Sequence, residues 1–300
     1  YHHPEIAKGN HNWDFELFRV LPSVLEAENS KERGEAILAW IQKLGEVPEC
    51  IYCPTPEEFE IKPNFDWINN KNLISNDLKK QLNYILNNRN QDEHYYIGLI
   101  PNVKNPKFKH ETTYSDMDFP DDGFRILALF RYWNMIEYFF PYKDVIGRDW
   151  NEVLKEFLPK FLNASDALEY RLAALTLIEN IHDTHANIWG RDEHLNNFRG
   201  EYFTPFETKF IENRAVITDI YNEELAKESN LQIGDVILSI GDKKTEDIVA
   251  ELLPLYPASN KPTKLRDIGR DLLRGDQSEV VLEIDRNGEK ISQTVNRHLR

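Results

Sequence analysis

The chain is poor in cysteine, with two in 300 residues, both in the run Cys50-Ile51-Tyr52-Cys53. A ribbon-type zinc site needs a second Cys or His pair, and none follows. A thiol redox motif opens a helix in a βαβ unit, whereas Pro54-Thr55-Pro56 follows here. A short-loop disulfide in an oxidising compartment and a plain pair of thiols both stay open. Long apolar runs are lacking as well. No stretch reaches the roughly eighteen residues a spanning helix requires, and the polar, His-rich start does not read as a signal peptide. The first residue is Tyr1 rather than methionine, so a trimmed N-terminus is expected. Basic charge is the third shortage. Against 51 Asp and Glu stand 36 Lys and Arg, a net charge of −15, which argues against nucleic acid as a partner because phosphates call for a basic face.

What is present suits a globular chain of two or three domains, with 41% hydrophobic and 12% aromatic residues. Apolar residues at three- and four-residue steps predict helices over Phe15–Leu25, from Ser30 to Leu44, over Leu73–Leu86 and over Phe124–Phe140. Asn12 and Ser75 are their expected caps, and Gly45 is an expected stop. Pro48–Pro63 reads as a connector, and Tyr95–Ile100 as a short strand. Tyr138, Pro141, Trp150, Leu154, Leu158, Pro159, Leu162 and Ala164 match Tyr1, Pro4, Trp13, Leu17, Leu21, Pro22, Leu25 and Ala27 at one offset, 137 (150 − 13 for the tryptophans). Two paired tryptophans and two pairs of prolines exceed what shared amphipathicity explains, so the helical part reads as a duplicated unit. The second copy is preceded by a helix and the first is not, so part of the first copy is expected to be missing.

The second copy ends in His182-Asp183-Thr184-His185, whereas at the matching place the first reads Leu44-Gly45-Glu46-Val47. This polar knot follows a helix with Leu168, Leu172, Leu175, Ile178 and Ile181 on one stripe, and alternation after it predicts a strand at Ala186–Gly190. Titratable groups fixed between packed elements are poised for chemistry. A hydrogen-bonded histidine at a helix end is the competing reading. A metal reading pairs His182 with His185 and adds Asp183 or His194, but no further ligand cluster is evident, so no metal is assigned.

After a polar stretch read as a linker, Arg191–Tyr202, the apolar period changes to two. Phe203–Ile220 reads as strands, Glu223–Glu228 as a short helix, and Leu231-Gln232-Ile233-Gly234-Asp235-Val236-Ile237 as a tight turn entering a strand. A helix at Thr245–Leu253, an excursion at Pro254–Pro262, a further helix to Leu273 and a hairpin turning at Asn287-Gly288 complete the chain. The fold class is therefore α+β multidomain, with a duplicated, mostly helical N-terminal region at 1–115 and 116–195 and a β-barrel or sandwich domain at 200–300.

The block Leu231-x-x-Gly234-Asp235-x-Ile237-x-x-Ile240-Gly241 resembles the signature turn of bacterial PDZ domains. The helical half ending in Asp183-Thr184-His185 resembles the segment that precedes the PDZ domain in tail-specific, or C-terminal processing, serine peptidases akin to the tricorn core. The resemblance implies that His185, with Thr184 beside it, supplies a general base, while the nucleophilic serine lies in a later domain. The 300 residues alone should then be inactive. It implies no cofactor, an extracytoplasmic (periplasmic or secreted) setting and a polypeptide partner. A peptide C-terminus would add as a strand, its carboxylate held near Thr204, Pro205 and Phe206 and its side chain against Ile248 and Leu252 of the helix at Thr245–Leu253. A peptide-binding module without catalysis is the alternative, as is a groove covered by the extra segment Pro254–Leu273.

Overall fold

Helices begin where a short polar side chain can accept the free N–H groups of a first turn. In the computed structural model, which describes residues 1–53 and 63–299, that rule places nearly every helix. Contacts divide the chain into two units, Tyr1–Pro141 and Tyr142–Arg300. This is a partition by packing, and it cuts the chain differently from one made by repeat and period. Pro54-Thr55-Pro56 and most of the Pro48–Pro63 connector lie outside the described residues.

In the first unit, α1 (Pro4–Ala7) starts at His3, whose Nδ1 accepts the Glu5 N–H. α2 (Trp13–Glu26) starts at Asn12, α3 (Ser30–Lys43) at Asn29 and α4 (Asn76–Asn87) at Ser75. Strands β1 (Ile97–Leu99) and β2 (Pro106–Phe108) form a small antiparallel pair. α5 (Asp122–Phe139) is capped by Asp121. Ile41, Leu78 and Ile85 make one apolar cluster, and Ile6, Leu44 and Tyr96 another. Two buried carboxylates are held by several donors each. Asp14 takes Arg131 Nη2 at 2.6 Å and Tyr114 Oη at 2.8 Å, and burial together with Asp14 pushes the Tyr114 phenol up to about 12. Glu16 accepts Trp40 Nε1 at 2.8 Å and pairs with Arg19. Cys50 and Cys53 form a disulfide with Cα atoms 5.7 Å apart, which settles which of the two open cysteine states this structure holds.

In the second unit, α6 (Trp150–Asn163) and α7 (Ala167–Glu179) start at Asp149 and Asp166. α6 matches α2 at both ends at the offset of 137, each contains its proline, and the caps Asn29 and Asp166 share an extended backbone (φ −146° and −150°). The two helices differ in what they bury. Glu16 in the first is Val153 in the second, both fully inside.

Two expectations change. No strand forms at 186–190, because the Trp189 indole donates to the His185 carbonyl at 3.0 Å and folds that stretch into an irregular turn. The stretch read as a linker contains α8 (Glu193–Arg199), which Asp192 caps while also pairing with Arg171 of α7.

Beyond α8 come β3 (Tyr202–Phe203), β4 (Phe206–Ile211), β5 (Arg214–Ile220), α9 (Glu223–Ala226), β6 (Val236–Ile240), β7 (Lys243–Lys244), α10 (Thr245–Leu252), α11 (Lys261–Asp271), β8 (Glu279–Arg286), β9 (Glu289–Asn296) and β10 (His298–Leu299). β4, β5, β6, β8 and β9 lie side by side in that order, β7 pairs with β6, and β10 pairs with β3. The Glu212-Asn213 and Asn287-Gly288 turns both adopt positive φ, as two-residue hairpins demand. Phe206, Ile217, Ile237, Leu282, Ile284 and Val295 from the sheet meet Val249, Leu265 and Ile268 from the helices in one core. The molecule is thus an α+β multidomain protein, helical first and sheet-rich last. Among the described residues no helix is long and apolar enough to cross a membrane.

Candidate functional site

α7 ends at Glu179, and the chain leaves it through Ile181 and His182. His182 carries φ +51°, and Gly45, which lies 137 residues earlier just past the end of α3, carries φ +116°. A left-handed residue lets a helix stop sharply, and glycine does so without strain. Its Nδ1 lies 3.4 Å from Glu179 Oε1. Glu179 also pairs with Lys264 of α11, both side chains being largely buried.

The next residues form a tight constellation. Asp183 Oδ1 accepts the His185 N–H at 2.8 Å and lies 3.1 Å from His185 Nδ1. A carboxylate can only accept, so the imidazole proton sits on Nδ1 and the Nε2 lone pair is left outward. The ring is 97% exposed. Thr184 is tied in the opposite direction. Its N–H donates to Ser259 Oγ at 3.1 Å, its Oγ1 accepts the Ser259 N–H at 3.0 Å, and the two hydroxyls are 2.9 Å apart. Ser259 lies in the excursion between α10 and α11. One side of the knot is therefore fastened and the other displayed. Nothing in the sequence flagged Ser259 or Lys264, since their partners lie 75 and 85 residues away. Among the described residues no group of three or more His, Cys, Asp or Glu is placed to hold a metal ion.

The sheet holds the other set of named residues. Thr204, Pro205 and Phe206 are all buried. The main chain just before them is engaged, with Tyr202 N–H donating to Gly275 O and Gly275 N–H donating to Tyr202 O. Ile248 and Leu252 lie partly buried against the same core as Phe206. The helix next to β4 is α11, whereas α10 packs on β6 and β7. An ideal Cβ on Gly269 would sit 2.8 Å from the Thr208 carbonyl oxygen, and the Thr208 hydroxyl donates to the Gly269 carbonyl at 2.5 Å.

A cavity of about 670 Å³ opens elsewhere, at the far end of β4. Phe210, Ala215, Val249, Leu253 and Leu265 give it apolar walls, and Thr245 also lines it. β5 and β6 share one register pair, Val216 with Val236, and Ala215, Ile237 and Leu238 line the cavity together with the charged Arg214, Lys244, Glu246, Glu283, Asp285 and Lys290. None of Thr204, Pro205, Phe206, Ile248 or Leu252 lines this cavity. Alternating hydrophobicity reveals which residues point inward, but not where helices and strands leave a cavity between them.

A family model described as a PDZ domain matches residues 200–288, the span that builds this sheet. No curated protein matches the chain. Among solved structures, mature CPAF complexed with lactacystin is similar at 15% identity, over 59% of this chain and 35% of that one, with a TM-score of 0.43. The photosystem II D1 C-terminal processing protease is similar at 15% identity, over 58% of this chain and 43% of that one, with a TM-score of 0.32. The chain spans about a third of the length of the CPAF chain it matches. The sheet-rich end of this chain is thus similar to a PDZ domain.

Proposed function

We propose that this chain is the peptide-recognising and base-supplying part of a serine peptidase of tail-specific type. The observation that carries the reading is the His185 side chain, oriented through Nδ1 by Asp183 and open to solvent at Nε2. A general base needs an orienting acceptor on one nitrogen and an approachable lone pair on the other. Thr184, fastened to Ser259, acts as the anchor that holds the histidine in place. The nucleophilic hydroxyl comes from polypeptide beyond these 300 residues, and the PDZ-like domain delivers an unstructured polypeptide to it. The Cys50–Cys53 disulfide supports an oxidising, extracytoplasmic setting.

The test is cleavage of an unstructured peptide by the protein extended past position 300. There His185→Ala is expected to lower kcat by about 10²- to 10⁴-fold with little change in KM, the usual worth of a positioned base. Unchanged turnover removes His185 from the mechanism. An extended protein that binds peptide but never cleaves it selects the non-catalytic module instead.

A further inference from the structure

We propose that the hairpin of β1 and β2 in the first unit is a membrane-docking finger, which sets its apolar tip into the surface of an anionic phospholipid bilayer. The inference stands apart from the peptidase reading and uses none of its residues.

The base of the hairpin is fixed. Tyr96 and Ile97 pack with Ile6 and Leu44, the Phe108 ring meets Phe139 of α5 edge-on with centroids 5.3 Å apart, and His110 stacks on Tyr95 at 4.1 Å. Beyond that base, residues 99–105 are all exposed, and Leu99, Ile100, Pro101 and Val103 among them are apolar. Leu99 is 60% exposed and Val103 62%. Single exposed apolar side chains are ordinary, but several crowded on one projecting turn mark a contact surface. The turn is also closed on itself. The Ile100 N–H donates to Asn105 O, the Lys104 N–H to Ile100 O and the Val103 N–H to Pro101 O, each at 2.9 Å, while Pro101 and Pro106 have no N–H. A loop that enters a bilayer surface leaves water behind, so main-chain groups bonded within the loop lower the cost of entry.

Charge selects the occupant. The chain as a whole carries −15, yet from Ile97 to His110 it holds Lys104, Lys107 and Lys109 and neither Asp nor Glu. Lys109, at the base, pairs with Glu93 at 3.1 Å. Lys104 and Lys107 are exposed and make no ion pair among the described residues. A protein partner fits this surface poorly. Lysine is depleted from the centres of protein interfaces, and a two-stranded projection is too narrow for the roughly 800 Å² per partner that a stable one buries. A lipid surface makes neither demand. Headgroup phosphates take the ammonium groups, the acyl boundary takes Leu99, Ile100 and Val103, and the lysine stems reach from one to the other.

The 300-residue chain is sedimented with large vesicles of phosphatidylcholine alone and of equal parts phosphatidylcholine and phosphatidylglycerol. At low salt its partition coefficient is expected to be at least about tenfold larger on the anionic vesicles, and to fall as salt rises. Lys104→Glu/Lys107→Glu should lower it at least about tenfold, each lysine near such a surface being worth about fivefold. Val103→Asp should lower it at least about fivefold. Both variants alter exposed positions, so their melting temperatures should match wild type. Val103→Cys, labelled with a nitrobenzoxadiazole dye while Cys50 and Cys53 stay paired, should brighten on the anionic vesicles. Failure of the wild-type chain to sediment with anionic vesicles would overturn the inference. Binding that both variants retain would also overturn it, by placing the contact elsewhere, as would binding with a dye that stays dark, which leaves the tip outside the lipid. A dimer in light scattering that Val103→Asp dissolves would make the tip a protein contact instead.

Discussion

At the scale of single residues, the chain separates groups that are displayed from groups that are consumed. His185 belongs to the first kind. His94 and His3 belong to the second. His94 Nδ1 accepts the N–H groups of Tyr96 and Ile97 at 3.1 and 3.2 Å, and its Nε2 lies 3.0 Å from the Tyr1 carbonyl. His3 Nδ1 caps α1. Burial, the largest cause for each, holds both imidazoles below the ordinary value of 6.5. The folded chain therefore binds fewer protons than the unfolded chain at mildly acid pH. The stability these rings contribute is complete above about pH 6.5 and is lost as pH falls below it. The first unit should lose several degrees of melting temperature between pH 7 and pH 5, and His94→Gln should flatten that slope; a wild-type melt flat across the range would refute the assignment. At this scale the sequence was legible for caps and turns, since Asn12, Ser75, Gly45 and Asn287-Gly288 act through neighbours in the chain. It was silent on Ser259 and Lys264, whose partners are distant.

At the scale of elements, helices were readable where apolar residues keep a three- and four-residue spacing. α2 and α6 open at paired tryptophans and end at the same offset. The strand expected at 186–190 failed because two or three alternating residues cannot outvote a local side-chain bond, here from Trp189 to the His185 carbonyl. α8 was missed because seven polar-rich residues carry little periodicity. For α10 and α11 both helices were legible, but which one lies along β4 depends on the excursion between them. Covering of the groove by Pro254–Leu273 was one of two open readings, and α11 does lie there. The close approach at Gly269 gives a direct check. Gly269→Ala should gain up to about 1 kcal/mol of helix propensity and lose more to the Thr208 carbonyl, for a net destabilisation of about 1 to 3 kcal/mol. Denaturant unfolding measures it, and a variant as stable as wild type would mean that α11 can lift from β4 at little cost.

At the scale of the whole molecule, each unit carries its own apolar interior. The cluster around Ile217, Ile268 and Leu282 is built entirely from the second unit, and those around Ile41 and Ile6 entirely from the first. Residues 142–300 expressed alone should therefore fold, with a single cooperative thermal transition and the near-ultraviolet dichroism of fixed aromatic side chains. A broad melt without that signal would show that the second unit borrows stability from outside itself. The change of apolar period foretold the broad plan, helical first and sheet-rich last, while the packing boundary at Pro141 lay beyond reading because no composition shift marks it.

His182 makes a useful control for mutagenesis at this site. Its backbone sits in a region that side chains enter at a cost of about 1 kcal/mol, and Gly45, just past the end of α3, takes a positive φ of its own. Most replacements would delete the imidazole and keep the awkward torsion, which blurs chemistry with folding. Glycine deletes the ring and relaxes the torsion together, so an impaired protein bearing it could not be dismissed as a misfolded one.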